Sequence, residues 1–438
     1  MNGREAAQKI FLAGVRSVLP GSLMANVMSL KDQTLFVGGH EIPIGHIENI
    51  FVIGAGKASA AMGHYVETTL GDRIKGGHIV VKYGHSCKLK RIEVTEAGHP
   101  VPDSNGFRAT GEIIRIAANA SENDLVICLI SGGGSALMAD LPDDLLPEEL
   151  YIVNNLLVRC GAAINEINCV RKHLSKVKGG QLARIVRPAS LLTLIISDVI
   201  GNPPEVIASG PTVPDPSTFR EALDVIMKYN LASDVTSGVM NYLREGAAGN
   251  KPETPKPGDH VFDDVLNIIA GTNQNALKGA KAEALKLGYR TYIIDDSVQG
   301  DVESVSEMIV STAVSFKNNA DIPKPVCLLF GGETTIRVTG EGQGGRNQHL
   351  ALTAALRLNN LPGITILAAG TDGNDGNTDA AGAVVDSGTV PSALSKNIDP
   401  AVFISEFDSY SLFRKEGGLI VTGPTFTNVM DLMVVVVE

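Results

Sequence analysis

The chain alternates apolar runs with glycine-rich turns and helical segments, and this alternation restricts its fold more than any other feature. The apolar run Ile50–Ile53 leads into Gly54-Ala55-Gly56-Lys57, after which a helical segment begins at Ala58. A second run, Leu125–Ile130, ends in Ser131-Gly132-Gly133-Gly134-Ser135. Continuous apolar runs are typical of parallel strands, which are covered on both faces. The sequence therefore predicts an α/β fold whose first sheet is Rossmann-like and largely parallel.

The length of 438 residues exceeds what one hydrophobic core usually serves, so we expect two domains. Strand–helix alternation occurs on both sides of the proline-rich segment 250–258. We predict an α/β domain over residues 1–249, a linker over 250–258 and a second α/β domain over 259–438. Residues 1–40 fit either domain. We place the active site in the cleft between the domains, at the carboxyl ends of the strands.

Composition excludes several classes of partner. The net charge of −11 argues against nucleic acid and anionic membranes as partners. No stretch approaches the roughly 18–20 apolar residues that span a bilayer. The five cysteines form no CxxC pair, and an odd number without a signal sequence indicates a reducing compartment. We expect a cytoplasmic globular protein that acts on small molecules.

The turn after the first strand does not match either common nucleotide motif. A P-loop requires Ser or Thr after the lysine, but Ala58 follows Lys57, and Phe51 stands where the first glycine belongs. The dinucleotide fingerprint has Ser59 at its third glycine position, and the next strand ends in Lys82 rather than an acid. These departures disfavour NAD and leave an NADP site open. The alternatives are a lysine facing a bound anion and a solvated lysine at a helix start.

Three consecutive glycines after the strand 125–130 allow the backbone to approach a ligand closely. Successive N–H groups in such a turn can bind an anion, although a merely flexible turn has the same composition. The position at the carboxyl end of a strand favours the binding interpretation. We predict that the cofactor-binding residues are Gly54, Gly56, Ser131, Gly132, Gly133, Gly134, Ser135 and Glu333.

A second candidate anion site lies in the carboxyl-terminal half. The pattern predicts a strand over Val326–Phe330, a second strand over Thr334–Val338, a glycine-rich turn and a helix over Asn347–Leu356. Arg346 falls in the first turn of that helix, where backbone N–H groups and a guanidinium together attract anions. The alternative is a glycine-rich hairpin beside an ordinary helix.

Acidic and basic side chains complete the set of candidates. Asp198 and Asp372 each follow a predicted strand, where they suit Mg²⁺ bridged to phosphates or a role in accepting a proton. The alternative is that they make local hydrogen bonds in tight turns. The acids around Asp372 lack the terminal glutamate of an EF-hand loop. The basic segment 171–178 predicts a charged face, which by itself is most often solvated surface.

Several long motifs together resemble the glycerate 2-kinase family, some members of which carry the label hydroxypyruvate reductase. The matching stretches are VIGAGKASAAMG, LISGGGSALM, VRKHLSKVKGGQLA, ISDVIGNPPEVIASGPTVPD, FGGETTIRVTGEGQGGRNQHLAL and AAGTDGNDGNTDAAGAVVD. They run in the expected order from about residue 50 to the end. The resemblance implies two α/β domains and the phosphorylation of D-glycerate at its 2-hydroxyl by ATP with Mg²⁺. It also implies that Lys57 and Arg346 are active-site residues.

We therefore predict Lys57, Arg346, Asp198 and Asp372 as catalytic residues, with Asp198 and Asp372 as metal ligands. Two other functions stay open on the sequence. One is an NAD(P)H-dependent hydroxypyruvate reductase, and the other is a non-catalytic protein that binds small anions. The oligomeric state stays open as well, and a homo-oligomer is allowed.

Overall fold

The computed structural model describes every residue from Met1 to Glu438 and divides into two compact units. The amino-terminal unit consists of Met24–Ala270, and the carboxyl-terminal unit consists of Gly271–Glu438 together with Met1–Leu23. Both units are α/β, as predicted. The observed division differs from the predicted one, because the first helix belongs to the carboxyl-terminal unit and the change of unit comes after residue 270.

Strands and helices are numbered in chain order. The strands are β1 (Met28–Lys31), β2 (Thr34–Val37), β3 (His40–Pro43), β4 (Ile50–Ala55), β5 (Ile74–Lys82), β6 (Glu93–Ala97), β7 (Leu125–Ile130), β8 (Ser190–Ile196), β9 (Val265–Gly271), β10 (Arg290–Val298), β11 (Val326–Gly332), β12 (Ile364–Gly370), β13 (Gly382–Asp386), β14 (Leu419–Ile420) and β15 (Asp431–Val437). The helices are α1 (Gly3–Ser17), α2 (Pro20–Val27), α3 (Ser59–Leu70), α4 (Ser104–Ala118), α5 (Gly134–Leu137), α6 (Pro147–Arg159), α7 (Ile164–His173), α8 (Gln181–Val186), α9 (Phe219–Lys228), α10 (Ser237–Ala247), α11 (Asn273–Lys286), α12 (Val302–Asn318), α13 (Arg346–Leu358), α14 (Thr389–Ser395), α15 (Pro400–Ser405) and α16 (Ser409–Glu416).

The amino-terminal unit is built on a six-stranded sheet in the order β6-β5-β4-β7-β8-β9. The four neighbouring pairs from β6 to β8 are parallel. Every residue of β7 is buried, as expected for a central strand covered on both faces. Chain order reverses between β4 and β7, which is the arrangement of a Rossmann fold. The predicted Rossmann-like, largely parallel sheet is confirmed.

The proline-rich segment 250–258 packs within this unit. The N–H of Asp215 donates to the carbonyl oxygen of Pro255 at 2.9 Å. The buried Thr254 donates its hydroxyl hydrogen to the Asp215 carboxylate at 3.0 Å. The strand after this segment, β9, forms the edge of the same sheet, whereas the predicted boundary assigned it to the second domain. Proline content indicates a loop, but only these contacts show to which unit the loop belongs.

The carboxyl-terminal unit has a mixed six-stranded sheet in the order β10-β11-β15-β12-β13-β14. Within this sheet, β10 and β11 are parallel to each other, and the other neighbouring strands pair in antiparallel fashion. The predicted second strand over Thr334–Val338 is wrong, because that segment contributes only an isolated bridge between Thr335 and Asp301. The reason is strand order: β10 and β15 already occupy both edges of β11, so no edge is left for a hairpin partner.

The first helix packs on the strands of the carboxyl-terminal unit. Ile10 and Phe11 are fully buried in one apolar cluster with Leu432 and Val434. Arg4 fixes the start of the helix through two hydrogen bonds to Asp386, at 2.6 and 3.0 Å. No single helix is long and apolar enough to cross a membrane, although α1 and α2 together, bent by 53°, have the necessary length and composition.

Candidate active site

The two glycine-rich turns of the amino-terminal unit join at the point where the strand order reverses. The turn after β4 and the turn after β7 leave adjacent strands at the same edge of the sheet. The N–H of Lys57 donates to the carbonyl oxygen of Gly132 at 2.9 Å, and the N–H of Ala58 donates to Ser131 Oγ at 2.9 Å. In open parallel sheets, ligands bind at this reversal point, beyond the carboxyl ends of the strands.

Two glycines are required here by close packing. A Cβ atom at Gly54 would collide with the carbonyl oxygen of Leu129 on the neighbouring strand. Gly56 has φ of +136°, and a Cβ atom there would collide with Ser131. These glycines let the two turns approach one another. Their predicted contact with a nucleotide stays a prediction.

The serines at the two ends of the second turn have different partners. Ser131 is buried, and its Oγ lies 3.1 Å from Ser59 Oγ at the start of α3. Ser135 Oγ lies 2.8 Å from Ser209 Oγ, and Ser209 in turn donates to Asn168 Oδ1 at 2.9 Å. Ser131 therefore anchors the turn to the first helix. Ser209 and Asn168 were not predicted as site residues, although Ser209 lies in one of the motifs quoted above; nothing in the sequence indicated that Asn168 of α7 comes next to this turn.

Basic side chains surround the joined turns. The imidazole of His99 lies against Gly133, a residue with φ of +82°. Burial, with the nearby positive charges of Lys57, Lys82 and His85, lowers the pKa of His99 to about 4. His99 is therefore neutral at pH 7, while the two lysines make the local potential positive. His99 was not predicted as a site residue; it lies two residues after the end of β6, a strand that the sequence pattern did not predict.

Asp198 lies just beyond the end of β8, the strand next to β7. It therefore belongs to the same edge of the sheet as the two joined turns. A carboxylate at this edge has the oxygen ligands that Mg²⁺ prefers when phosphates supply the rest of the shell.

In the carboxyl-terminal unit, Arg346 is the first residue of α13 and is held by two acids. Its Nε and one terminal nitrogen donate to the two carboxylate oxygens of Asp431 at 2.6 and 2.9 Å. Its other terminal nitrogen lies 2.7 Å from Glu333 Oε1. Burial by itself would lower the pKa of Arg346, but the hydrogen bonds and charges of these acids raise it above its usual value. The predicted anion-binding guanidinium thus has two carboxylates as neighbours.

The acid that fixes Arg346 was missed from the sequence. Asp431 is 1% exposed and stands at the start of β15, opposite Gly332 in the register of β11. The only local signal is one acid in front of the apolar run 432–437. Because β15 lies between β11 and β12, that acid comes next to the turn from which α13 begins.

A second buried acid caps the start of α13. The Asp375 carboxylate accepts hydrogen bonds from the backbone N–H groups of Asn347 and Gln348, at 3.1 and 2.8 Å. Burial is the main cause that raises its pKa, to about 7, and the negative charge of Asp431 acts in the same direction. The two backbone hydrogen bonds oppose the shift. Asp375 therefore occupies the anion-binding position that the helix start offers.

Asp372 follows β12 and lies close to Asp431. A Cβ atom at Gly370 would lie 3.2 Å from Asp372 Oδ1 and 3.4 Å from Asp431 Oδ1. No group of three or more acidic, histidine or cysteine side chains is arranged to hold a metal ion. One or two carboxylates are nevertheless enough for Mg²⁺, which commonly takes its remaining ligands from water and substrate phosphates. Asp198 and Asp372 as ligands of such a cation stay a prediction.

Most of the chain matches known protein families and sequences. Residues 6–244 match a family described as a domain of unknown function, DUF4147, and residues 326–431 match the MOFRL family. Glycerate 2-kinase of Pyrococcus horikoshii is 38% identical over 100% of this chain and 98% of its own length. D-glycerate 2-kinase of Thermotoga maritima is 40% identical over 90% of this chain and 92% of its own length.

The chain belongs to the glycerate kinase family. A crystal structure of glycerate kinase from Thermotoga maritima superposes on this kinase-family protein with a TM-score of 0.87 and 36% identity, covering 99% of both chains. A putative hydroxypyruvate reductase of Agrobacterium vitis is 38% identical over 100% of this chain and 95% of its own length. The predicted family and fold class are confirmed. The prediction that Lys57 and Arg346 act on the same ligand stays a prediction.

Proposed function

We propose that this glycerate kinase-family protein transfers the γ-phosphoryl group of ATP to the 2-hydroxyl of D-glycerate, forming 2-phosphoglycerate and ADP. The names of the relatives from Pyrococcus and Thermotoga support the 2-hydroxyl as acceptor. The observation that carries the proposal is the joining of two glycine-rich turns around Lys57 at the reversal point of a Rossmann-ordered sheet. Anionic ligands are held at such points by backbone N–H groups and a cation.

The protein's main work in phosphoryl transfer is to position the groups and neutralise their charge. We assign to Lys57 the neutralisation of a phosphate or of the glycerate carboxylate, because Lys57 and Lys82 together make the potential near His99 and Gly133 positive. The Ser131–Ser135 turn supplies backbone donors for phosphate oxygens. A reductase would instead use a dinucleotide fingerprint, and Ser59 and Lys82 depart from that pattern.

Arg346 is proposed to act as a fixed cation in the carboxyl-terminal unit. Asp431 holds two edges of the guanidinium, so Arg346 is pre-oriented without any ligand. Glu333 is 42% exposed at its side chain and is the partner that an incoming anion displaces. We propose this exchange of Glu333 for a ligand anion as the binding role of both residues.

Mg²⁺ is the cation expected with ATP, and it would supply neutralisation of the phosphate charge. Asp198 and Asp372 are the residues proposed to hold it or to accept the hydroxyl proton of glycerate. Both stand at the carboxyl ends of strands, Asp198 after β8 and Asp372 after β12.

One experiment separates the candidate functions. The purified protein is incubated with D-glycerate, ATP and Mg²⁺, and in parallel with hydroxypyruvate and NADH or NADPH. We expect ADP to form in the first reaction, with a product whose phosphorus NMR spectrum is that of 2-phosphoglycerate. A 3-phosphoglycerate spectrum would refute the proposed regiochemistry. Oxidation of NADH or NADPH without ADP formation would indicate a reductase, and no turnover in either reaction would indicate a binding protein.

A further inference from the structure

A cavity of about 320 Å³ lies beside the second glycine-rich turn of the amino-terminal unit. Ser135, the last residue of that turn, forms part of its lining. The lining also includes the apolar side chains Val101 and Val158, the aromatic Tyr151, and the buried ion pair of Asp140 with Lys178. The volume falls at the lower end of the roughly 300–1,000 Å³ range that is usual for small-molecule sites.

The apolar side chains that line the cavity suit contact with a flat ring. Val101 and Val158 are 65% and 61% exposed, so they leave apolar surface open at the cavity. The Tyr151 hydroxyl donates to the carbonyl oxygen of Pro102 at 2.8 Å, which holds the aromatic ring in place. A fixed aromatic ring and branched apolar side chains favour the packing of a planar heterocycle.

The cavity also contains a cation without a carboxylate partner. Arg171 is partly buried, and its Nε donates to Asn154 Oδ1 at 2.7 Å, but the guanidinium makes no salt bridge. Its neighbours Lys172 and Lys178, in contrast, are buried and paired with Asp215 and Asp140. The predicted solvated basic face is therefore wrong for these lysines. A partly desolvated guanidinium with only an amide partner favours the arrival of an anionic ligand.

We propose that this cavity is the nucleoside subsite for ATP, with the base against Val101, Tyr151 and Val158 and the polyphosphate between Arg171 and the Ser135 turn. The inference rests on the proposed function, in which ATP is the phosphoryl donor. D-glycerate does not fit the same description, because a three-carbon acid with two hydroxyls has no apolar face to cover this lining. A nucleotide has both a base that can cover the apolar side chains of the lining and an anionic chain that can pair with Arg171.

The absence of tryptophan from the chain provides a direct test. Val101→Trp would place a single indole at the cavity, where an adenine base quenches its fluorescence. Ile152→Trp is the matched control, because Ile152 is on the same helix as Tyr151 and Val158, is 40% exposed and does not line the cavity. We expect ADP and adenosine to quench Val101→Trp and D-glycerate to leave it unchanged. Equal quenching in both variants, or none in Val101→Trp, would overturn the subsite.

The role of Arg171 is tested in the Val101→Trp background. Adding Arg171→Met is expected to lower the affinity for ADP about tenfold, which is the loss of one charge-assisted hydrogen bond, and to leave adenosine affinity unchanged. Arg159→Met, an exposed arginine of α6 outside the cavity, should change neither affinity. Equal losses for ADP and adenosine, or no loss for ADP, would refute the phosphate role of Arg171.

The same measurements distinguish this inference from the proposed reaction. Quenching by adenosine and ADP without any ADP formation from ATP and D-glycerate would refute the reaction and support the nucleoside subsite. Normal ADP formation by Val101→Trp, without quenching by ADP or adenosine, would support the reaction and refute the subsite.

Discussion

Arg346 and Asp431 form a two-point ion pair across the carboxyl-terminal sheet, with nitrogen–oxygen distances of 2.6 and 2.9 Å. The pair joins the first residue of α13 to the first residue of β15. The carboxylate is almost completely buried, whereas a third of the arginine side chain stays exposed. Asp431 thus orients a cation whose other terminal nitrogen contacts the partly exposed Glu333, which is the carboxylate that the proposed ligand anion would replace.

Removing the charge of Asp431 should destabilise the protein. Asp431→Asn keeps one acceptor oxygen but leaves the guanidinium without its buried counter-charge, at a cost of about 1.5–3 kcal/mol. Urea denaturation measures the change in unfolding free energy. The control is Glu333→Gln, since the Glu333 side chain is 42% exposed and its ion pair should contribute less than about 1 kcal/mol. Equal losses in the two variants would contradict the dominant role of Asp431.

Lys57→Ala should remove most of the kinase activity and leave the protein folded. The variant loses at least one charge-assisted hydrogen bond. The loss of one such bond lowers kcat/KM about ten- to a hundredfold. Arg346→Ala should lower activity by at least as much, but it also leaves Asp431 unpaired, so its thermal stability is measured alongside. Turnover like that of the wild type in either folded variant would refute the assignment of that residue.

Gly56→Ala should disrupt the junction of the two glycine-rich turns. The added methyl group would collide with Ser131 at a backbone angle that other residues rarely adopt, which costs about 1–3 kcal/mol and displaces Lys57. Activity and thermal unfolding should therefore both fall. Gly76→Ala in β5 is the control, because no atom lies within 4 Å of the added methyl group. Similar behaviour of both variants would show that close approach is unimportant here.

Asp375 should make stability depend on pH. Its pKa is raised to about 7 in the folded protein, against an ordinary value of about 3.9 in an unfolded chain. The folded state therefore binds this proton more tightly, and the resulting stability is complete below about pH 4 and is lost as pH rises through 7. Asp375→Asn should flatten this slope in urea unfolding measured between about pH 4 and 8. The exposed Asp379→Asn is the control and should retain the slope.

Chelation of divalent cations should abolish turnover without unfolding the protein. No three ligating side chains are gathered around a common point, so a cation contributes little to the fold by itself. We expect EDTA to stop ADP formation, Mg²⁺ to restore it, and the melting temperature to stay unchanged throughout. A large fall in melting temperature with EDTA would indicate a structural metal site instead.

Local sequence patterns predicted the α/β fold and the glycine-rich turns, whereas the roles given to the site residues stay predictions. The apolar runs at β4, β7 and β11, with the glycines after them, were sufficient because strand burial and turn geometry are properties of short segments. The predicted strand over Thr334–Val338 failed because its existence depended on a free edge of β11. Whether an edge is free depends on distant strands, here β10 and β15.

The sequence by itself determined the α/β class and the Rossmann-like sheet, and it indicated Lys57 and Arg346 as candidate active-site residues. Only the tertiary structure decided that Arg346 is paired with Asp431, a residue 85 positions away, that His99 lies against Gly133 and that α1 joins the carboxyl-terminal unit. The reason is physical. Hydrophobic period and turn composition act over a few residues, whereas ion pairs, buried caps and cavity linings depend on which strands the fold places side by side.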